Sequence, residues 1–316
     1  MAKIAIIGAS GVVGRTVLDI LGERNIEADF FLFASKNSDG KILHIKNKPY
    51  KVHVLDESIF LLKPDFVLMC TRENISKKYA LKLADLGVVV IDFSAEFRKK
   101  YPLVVPQINA EDIKGNLICN PNCATIGAVM ALCGIEKNVG LKSVAISTYQ
   151  SLSGAGQLAL DDRYETNPNR LKKLDFVIDN NLIPYIGKID DKNFCVEEKK
   201  IIYETKKILH DENLFVMSQT VRVPIDVCHG ESIFFETKNA CDIEILKQYI
   251  VTIENVKYVD FAMPIYARGK DDVLVSRLKQ FDETHFSMFV VVDNLRKGAA
   301  QNGVEILIKL LGREYV

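Results

Sequence analysis

The stretch KIAIIGASGVVGRTVLDILGER, residues 3–24, limits the possible folds more than any other part of the chain. Lys3 to Ile7 is a short apolar run of strand character, and from about Val12 to Leu21 the apolar residues recur at helical spacing. Between them Gly8, Gly11 and Gly14 let the backbone turn sharply. A strand, a glycine turn and a helix in that order form an anion cradle, with amide donors of the helix N-terminus aimed at a pyrophosphate. The residues of that cradle would be Gly8, Ala9, Ser10, Gly11, Val12, Val13 and Gly14. The spacing is GxxGxxG and not the commoner GxGxxG, so a plain tight turn fits it too; its place at the start of an alternating pattern favours the cradle.

That alternation continues. DFFLFAS reads as a strand, then Phe66–Cys70 as a strand, about Ile75–Leu86 as a helix and Val88–Asp92 as a strand. Crossovers of this kind predict a Rossmann-type, doubly wound α/β sheet with its ligand at the C-terminal ends of the strands. After the second strand an NAD enzyme places an acidic residue for the ribose hydroxyls. Here ASKNSDGK offers Ser35, Lys36 and Ser38, which suit a ribose phosphate and point to NADP, although a lysine in a surface turn is also at home in solvent.

With 316 residues, 48% of them hydrophobic, the chain has material for two cores. Lys+Arg and Asp+Glu are equal at 41, and no basic run is present, so neither nucleic acid nor an anionic membrane surface is an expected partner. The apolar run at the N-terminus is too short for a secretion signal or a membrane span, which points to the cytoplasm. Seven cysteines with no CxxC pair and no His/Cys ligand spacing predict neither a metal site nor disulfides.

One of those cysteines stands apart. In CNPNCATIGAV, Pro121 biases Asn120 away from helix, so the chain turns before the apolar helix that follows and Cys123 falls at its N-terminus. Amide groups and the helix dipole there favour a reactive thiolate. Taken alone, Cys123 fits a packing role as well. Cys119 and Cys133 lack the setting, and Cys70 reads as core. Farther along, VMSQTVRVPIDVCHGESIFFET holds His229 in an apolar strand-like context, able to act as acid and base near neutral pH for a thiol nucleophile.

Together with GASGVVG and ASKNSDGK, the segments GVVVIDFSAEFR, PLVVPQIN, NPNCATI, STYQSLSGAG, VEEKKIIYETKKI, TVRVPIDVCHGES and VVVDNLRKGAAQNGVEI resemble, in order from Gly8 to Ile306, the aspartate-β-semialdehyde dehydrogenase family. The resemblance implies Cys123 as nucleophile, His229 as acid/base and Gln150 as the residue orienting the intermediate. It gives Arg98, Asn122 and Lys200 to the substrate or free phosphate, Glu197 to the substrate amine and Arg222 to its α-carboxylate. Ser153, Gly154 and Asn294 would join the NADP site, Asn294 at the nicotinamide amide. The implied reaction is reductive dephosphorylation of β-aspartyl phosphate to aspartate semialdehyde, with release of phosphate, in lysine, threonine, methionine and diaminopimelate biosynthesis. The implied architecture is an NADP-binding domain, residues 1–122 with a C-terminal amphipathic helix from about 296–316, and an α+β catalytic and dimerisation domain, 123–295, in a homodimer or homotetramer.

SAEFR, CTRENIS and HGES depart from the family's usual forms, and the region 157–183 is least like it. Within that region the charged stretch Tyr164–Lys173 reads as a solvated loop. The nearest alternatives are an N-acetylglutamyl phosphate or a malonyl-CoA reductase; Glu197 with Arg222 suits a free amine and carboxylate, which neither of those substrates presents together. A non-catalytic dinucleotide sensor would not need both Cys123 and His229.

Overall fold

The computed structural model describes residues 1–164 and 174–312. Two compact units are present: Met1–Pro121 with Ala299–Val316, and Asn122–Gly298.

The first unit is built on seven strands: β1 (Lys3–Ile7), β2 (Asp29–Ala34), β3 (Ile42–Ile45), β4 (Lys48–Val54), β5 (Phe66–Met69), β6 (Val89–Asp92) and β7 (Leu117–Cys119). Their order is β3-β4-β2-β1-β5-β6-β7, and only β3 runs antiparallel to its neighbour. Because the chain winds outward from β1 to β2 on one side and to β5 on the other, the doubly wound sheet has its switch point at β1, which carries the glycine turn. Helices Val12–Glu23 and Glu73–Asp85 connect parallel strands, as the alternation predicts.

The hairpin β3–β4 has no counterpart in the sequence reading. Its strands are mostly exposed and carry only a short apolar side, Leu43, Ile45, Tyr50 and Val52, which packs on the core of the first unit. The C-terminal helix, Gln301–Leu310, is amphipathic in sequence, and its polar stripe does not face solvent. Gln301 to Ile308 are all buried, and the stripe is hydrogen-bonded inward. Asn302 Nδ2 donates to the Val104 carbonyl (2.9 Å) and to Asn120 Oδ1 (2.8 Å), while Gln301 Nε2 donates to Glu305 Oε1 (3.1 Å). Polar spacing alone does not separate a solvated face from a buried one.

The second unit carries six strands: β8 (Leu141–Gln150), β9 (Phe215–Arg222), β10 (His229–Thr237), β11 (Val256–Tyr258), β12 (Val273–Gln280) and β13 (His285–Val292), in the order β11-β12-β13-β10-β8-β9. Helix Cys123–Asn138 lies on one face of this mixed sheet, with Ala124 through Ile135 buried, and packs against helices Val196–Leu209 and Ile243–Ile250. Gly134 allows the closest of these approaches, since a Cβ there would collide with the Tyr249 carbonyl oxygen. The charged stretch 164–173 lies outside the described residues apart from Tyr164, which ends a helix, Gln157–Tyr164. Among the described residues no helix is long and apolar enough to cross a membrane, and no group of three or more His, Cys, Asp or Glu is placed to hold a metal ion.

Candidate active site

Register decides which side chains meet. Gln150 is opposite Arg222 across the parallel pair β8–β9, and Gly230 is opposite Tyr149 across β8–β10. Successive residues of a strand face opposite sides of the sheet. Gln150, Arg222 and His229 therefore share one face and one end of the sheet, the face covered by helix Cys123–Asn138. All three are buried.

Cys123 opens that helix. Asn122 caps it, its Oδ1 accepting from the N–H groups of Ala124 (2.9 Å) and Thr125 (3.3 Å). The cap is itself held, because Asn122 Nδ2 donates to Glu197 Oε1 (2.7 Å) and its backbone N–H to Glu204 Oε2 (2.7 Å). Cys123 Sγ is thereby placed 3.2 Å from His229 Nε2. Helix dipole and the nearby Arg222 guanidinium both favour negative charge on the sulfur.

Glu197 and Lys200 come from the helix Val196–Leu209, with Lys200 Nζ 3.5 Å from Glu197 Oε2. Burial pushes the Glu197 carboxyl upward, but Lys200, the Asn122 amide, Arg222 and Gln150 together hold it below the ordinary carboxylate value. It is a carboxylate at neutral pH. Arg222 Nη1 donates to the Ser151 carbonyl (2.6 Å). Burial lowers the guanidinium, and the charges of Glu197 and Cys123 oppose that shift. Gly154 closes over this group, a Cβ there reaching 3.1 Å from both Arg222 Nη1 and His229 Cε1.

His229 is fully buried, and desolvation together with the Arg222 charge pushes the imidazole down to about 3, outweighing Glu197 and the Cys228 backbone. Asn294 lies in the same network, its Oδ1 accepting from the Cys228 N–H (2.9 Å) and the Ser151 hydroxyl (3.0 Å), and its Nδ2 donating to Ser153 Oγ (2.9 Å). Neither Ser151 nor Glu204 was picked out in the sequence. They act through main-chain and cap contacts, for which no residue-type pattern exists.

The remaining candidates belong to the first unit. Gly8 has φ +84°, and a Cβ on it would collide with the Cys70 carbonyl oxygen; one on Gly14 would collide with the Gly8 carbonyl oxygen. Helix Val12–Glu23 begins at Gly11 with no side-chain cap, so its first-turn N–H groups have no protein side chain to serve. This glycine-lined turn fits a dinucleotide pyrophosphate. Ser35 and Lys36 are exposed and Ser38 is buried, around a short 3₁₀ turn just after β2. Arg98 is buried, with Nη2 donating to the Phe93 carbonyl (2.9 Å) and its charge acting on the buried Asp92.

The chain is similar to known proteins over nearly its whole length. Residues 3–116 match the family described as semialdehyde dehydrogenase, NAD binding domain, and residues 132–297 match semialdehyde dehydrogenase, dimerisation domain. Aspartate-semialdehyde dehydrogenase of Aquifex aeolicus is 40% identical, over 96% of this chain and 96% of its own. The crystal structure of aspartate semialdehyde dehydrogenase II from Vibrio cholerae has a TM-score of 0.93 at 35% identity, covering 99% of each chain. A second structure of that Vibrio enzyme, complexed with ASA, matches equally well, with a TM-score of 0.93 at 35% identity over 100% of this chain and 99% of its own. With both halves matched and a relative aligned almost end to end, the chain belongs to the aspartate-semialdehyde dehydrogenase family.

Proposed function

We propose that the protein is an NADP-dependent aspartate-semialdehyde dehydrogenase, converting β-aspartyl phosphate to aspartate semialdehyde and phosphate through a thioester on Cys123. The reading rests on one observation above the others: a thiol at a helix N-terminus, 3.2 Å from a buried imidazole and beside a buried arginine and carboxylate. The Cys123 sulfur attacks the acyl carbon and phosphate departs toward Lys200 and Asn122, with Arg98 given to the same anion on the family resemblance alone. Arg222 presents a planar fork to the α-carboxylate, and Glu197, ionised, meets the ammonium. Gln150, beside Glu197, orients the acyl group. When bound, the nicotinamide cofactor supplies the hydride that reduces the thioester. The Gly8–Gly14 turn takes its pyrophosphate, Ser35, Lys36 and Ser38 its ribose phosphate, and Ser153, Gly154 and Asn294 are assigned to it by resemblance.

We also assign the uncovered face of the six-stranded sheet to a second copy of the chain. Tyr149, Phe215, Met217 and Phe234 lie on that face and are exposed, an apolar patch of the kind that marks an interface. Light scattering should give the mass of a dimer or a multiple of it. For the reaction, purified protein is assayed for NADP reduction with aspartate semialdehyde and phosphate. Each component is then omitted in turn. Turnover that survives omission of phosphate, or that is equal with an N-acetylated substrate, would overturn the assignment.

A further inference from the structure

Two helices of the second unit begin in different ways. At Val196–Leu209 the start is self-contained: Glu198, three residues past the N-cap Cys195, turns back and accepts the Cys195 N–H on Oε2 (2.9 Å). At Cys123–Asn138 the equivalent position is Thr125, which lacks the reach for that return. Its buried hydroxyl has no partner among the described residues. The N–H of the N-cap Asn122 is taken instead by Glu204 Oε2, at 2.7 Å, from the other helix. Glu204 is fully buried, and a buried N–H left without an acceptor is costly, so this pairing fixes the main chain at Asn122.

The helix that supplies the acceptor also supplies the groups assigned above to the substrate. Glu204 stands two helical turns after Glu197 and four residues after Lys200, so the three lie along one side of it. Glu197 Oε1 accepts from Asn122 Nδ2 (2.7 Å), and Asn122 is thus gripped at main chain and side chain by one helix. Asn122 Oδ1 in turn serves the N–H groups of Ala124 and Thr125, on the turn that carries Cys123. The gripping helix is anchored as well, because Glu198 Oε1 accepts the Thr220 N–H (3.2 Å), two residues before Arg222 on β9.

We infer that Glu204 is a positioning residue for the nucleophile: by completing the cap of the Cys123 helix from outside it, Glu204 sets the reactivity of the thiol and its place relative to Glu197 and Lys200. It acts through Asn122. The inference rests on the thiol chemistry proposed above. A side chain that only satisfied a buried donor would support stability and leave the thiol of the folded protein as reactive as before. A positioning residue couples the two, since a loosened cap turns the first-turn amides and the helix dipole away from the sulfur.

The test compares three substitutions in the whole enzyme. Glu204→Gln keeps a carbonyl oxygen at the same reach, Glu204→Met fills the space without one, and Glu204→Asp keeps its oxygens but falls one methylene short. Each protein is alkylated with iodoacetamide across roughly pH 6–9, with labelling at Cys123 read by peptide mass spectrometry. Tm is measured in parallel, so that every rate refers to folded protein. At pH 7 the labelling rate should be about tenfold lower in Glu204→Met and Glu204→Asp, with the midpoint of the pH profile moved upward. Glu204→Gln should stay within about threefold of the unsubstituted protein, and kcat/KM for aspartate semialdehyde should follow the same order. Unaltered labelling in Glu204→Met and Glu204→Asp, whatever their Tm, would overturn the inference and leave Glu204 a stabilising residue. Equal loss in Glu204→Gln would overturn it too, because the acceptor oxygen is then not what matters. Full turnover by Cys123→Ser would remove the thiol chemistry, and the labelling comparison would still decide the role of Glu204.

Discussion

The two units build their candidate sites from different materials. In the first, the cradle is main chain: glycines that admit no Cβ and the open first turn of a helix. In the second, the site is a set of side chains brought to one sheet end by register, with Cys123, Gln150, Arg222 and His229 drawn from four elements. A backbone site leaves a spacing in the sequence that can be found without knowing the fold. A side-chain site becomes visible only when strand pairing is known, or when a resemblance supplies it. The cost of substitution should differ in the same way, with chemistry concentrated in the second unit and cofactor choice in the first.

The largest effect is expected at Cys123. Cys123→Ser should lower kcat on the order of 10³-fold or more, because a hydroxyl there is scarcely ionised and is a poor leaving group. Binding of NADPH, followed by its fluorescence, should be unchanged. Loss of binding in parallel with turnover would break the division of labour between the units. Arg222→Lys comes next, at about tenfold or more in kcat/KM for aspartate semialdehyde, roughly 1.4 kcal/mol, because lysine loses the planar fork. Arg222 also holds the Ser151 carbonyl, so a modest fall in Tm should accompany the kinetic loss. Normal kinetics with a lowered Tm would make Arg222 a structural residue only.

Lys36→Glu probes the other half. It should shift the ratio of kcat/KM for NADP over NAD toward NAD by a factor of about ten, while the rate at which an alkylating agent labels Cys123 stays the same. An unchanged ratio would remove Lys36 from cofactor selection. The smallest effect on turnover is expected at Glu231, fully buried beside Gly127, with neither oxygen bonded to a protein group. Desolvation raises its carboxyl well above the ordinary value. The native state therefore keeps a proton that the unfolded chain gives up above about pH 4.3, and stability falls as pH rises from there toward the native value. Glu231→Gln abolishes that titration, so its Tm should depend less steeply on pH over this range. Parallel Tm curves for the two proteins would show that Glu231 ionises in the native state as it does in the unfolded one.

Much of the first unit was legible because its parallel strands are continuous apolar runs bounded by glycine and polar turns, as at Lys3–Ile7 and Phe66–Met69. β3 and β4 were not, because their apolar side is limited to Leu43, Ile45, Tyr50 and Val52 among polar and charged neighbours. In the second unit Cys123 could be placed at a helix start from Pro121 and the apolar run alone. The roles of Gln150, Glu197 and Arg222 came only through the family resemblance, since nothing local in YQSLSG or VRVPID announces which side chain turns inward. Glu204 and Ser151 escaped both routes, one serving the main-chain N–H of a cap and the other offering its own.

The backbone N–H of Ser151 donates to His229 Nδ1 (3.1 Å), and a contact made by main chain changes how such a site is studied and how it evolves. A side-chain scan deletes hydroxyls, carboxylates and rings, but it leaves the N–H of residue 151 where it was. Only proline at that position, or a rerouting of the chain between β8 and the following turn, would take it away. Ser151 Oγ also lies 3.1 Å from Nδ1, so a survey by alanine would score the position for its hydroxyl alone, while the main-chain part of the contact is nearly immune to point substitution. Under drift in the residue types around the site, that part of the imidazole's orientation is inherited with the path of the backbone.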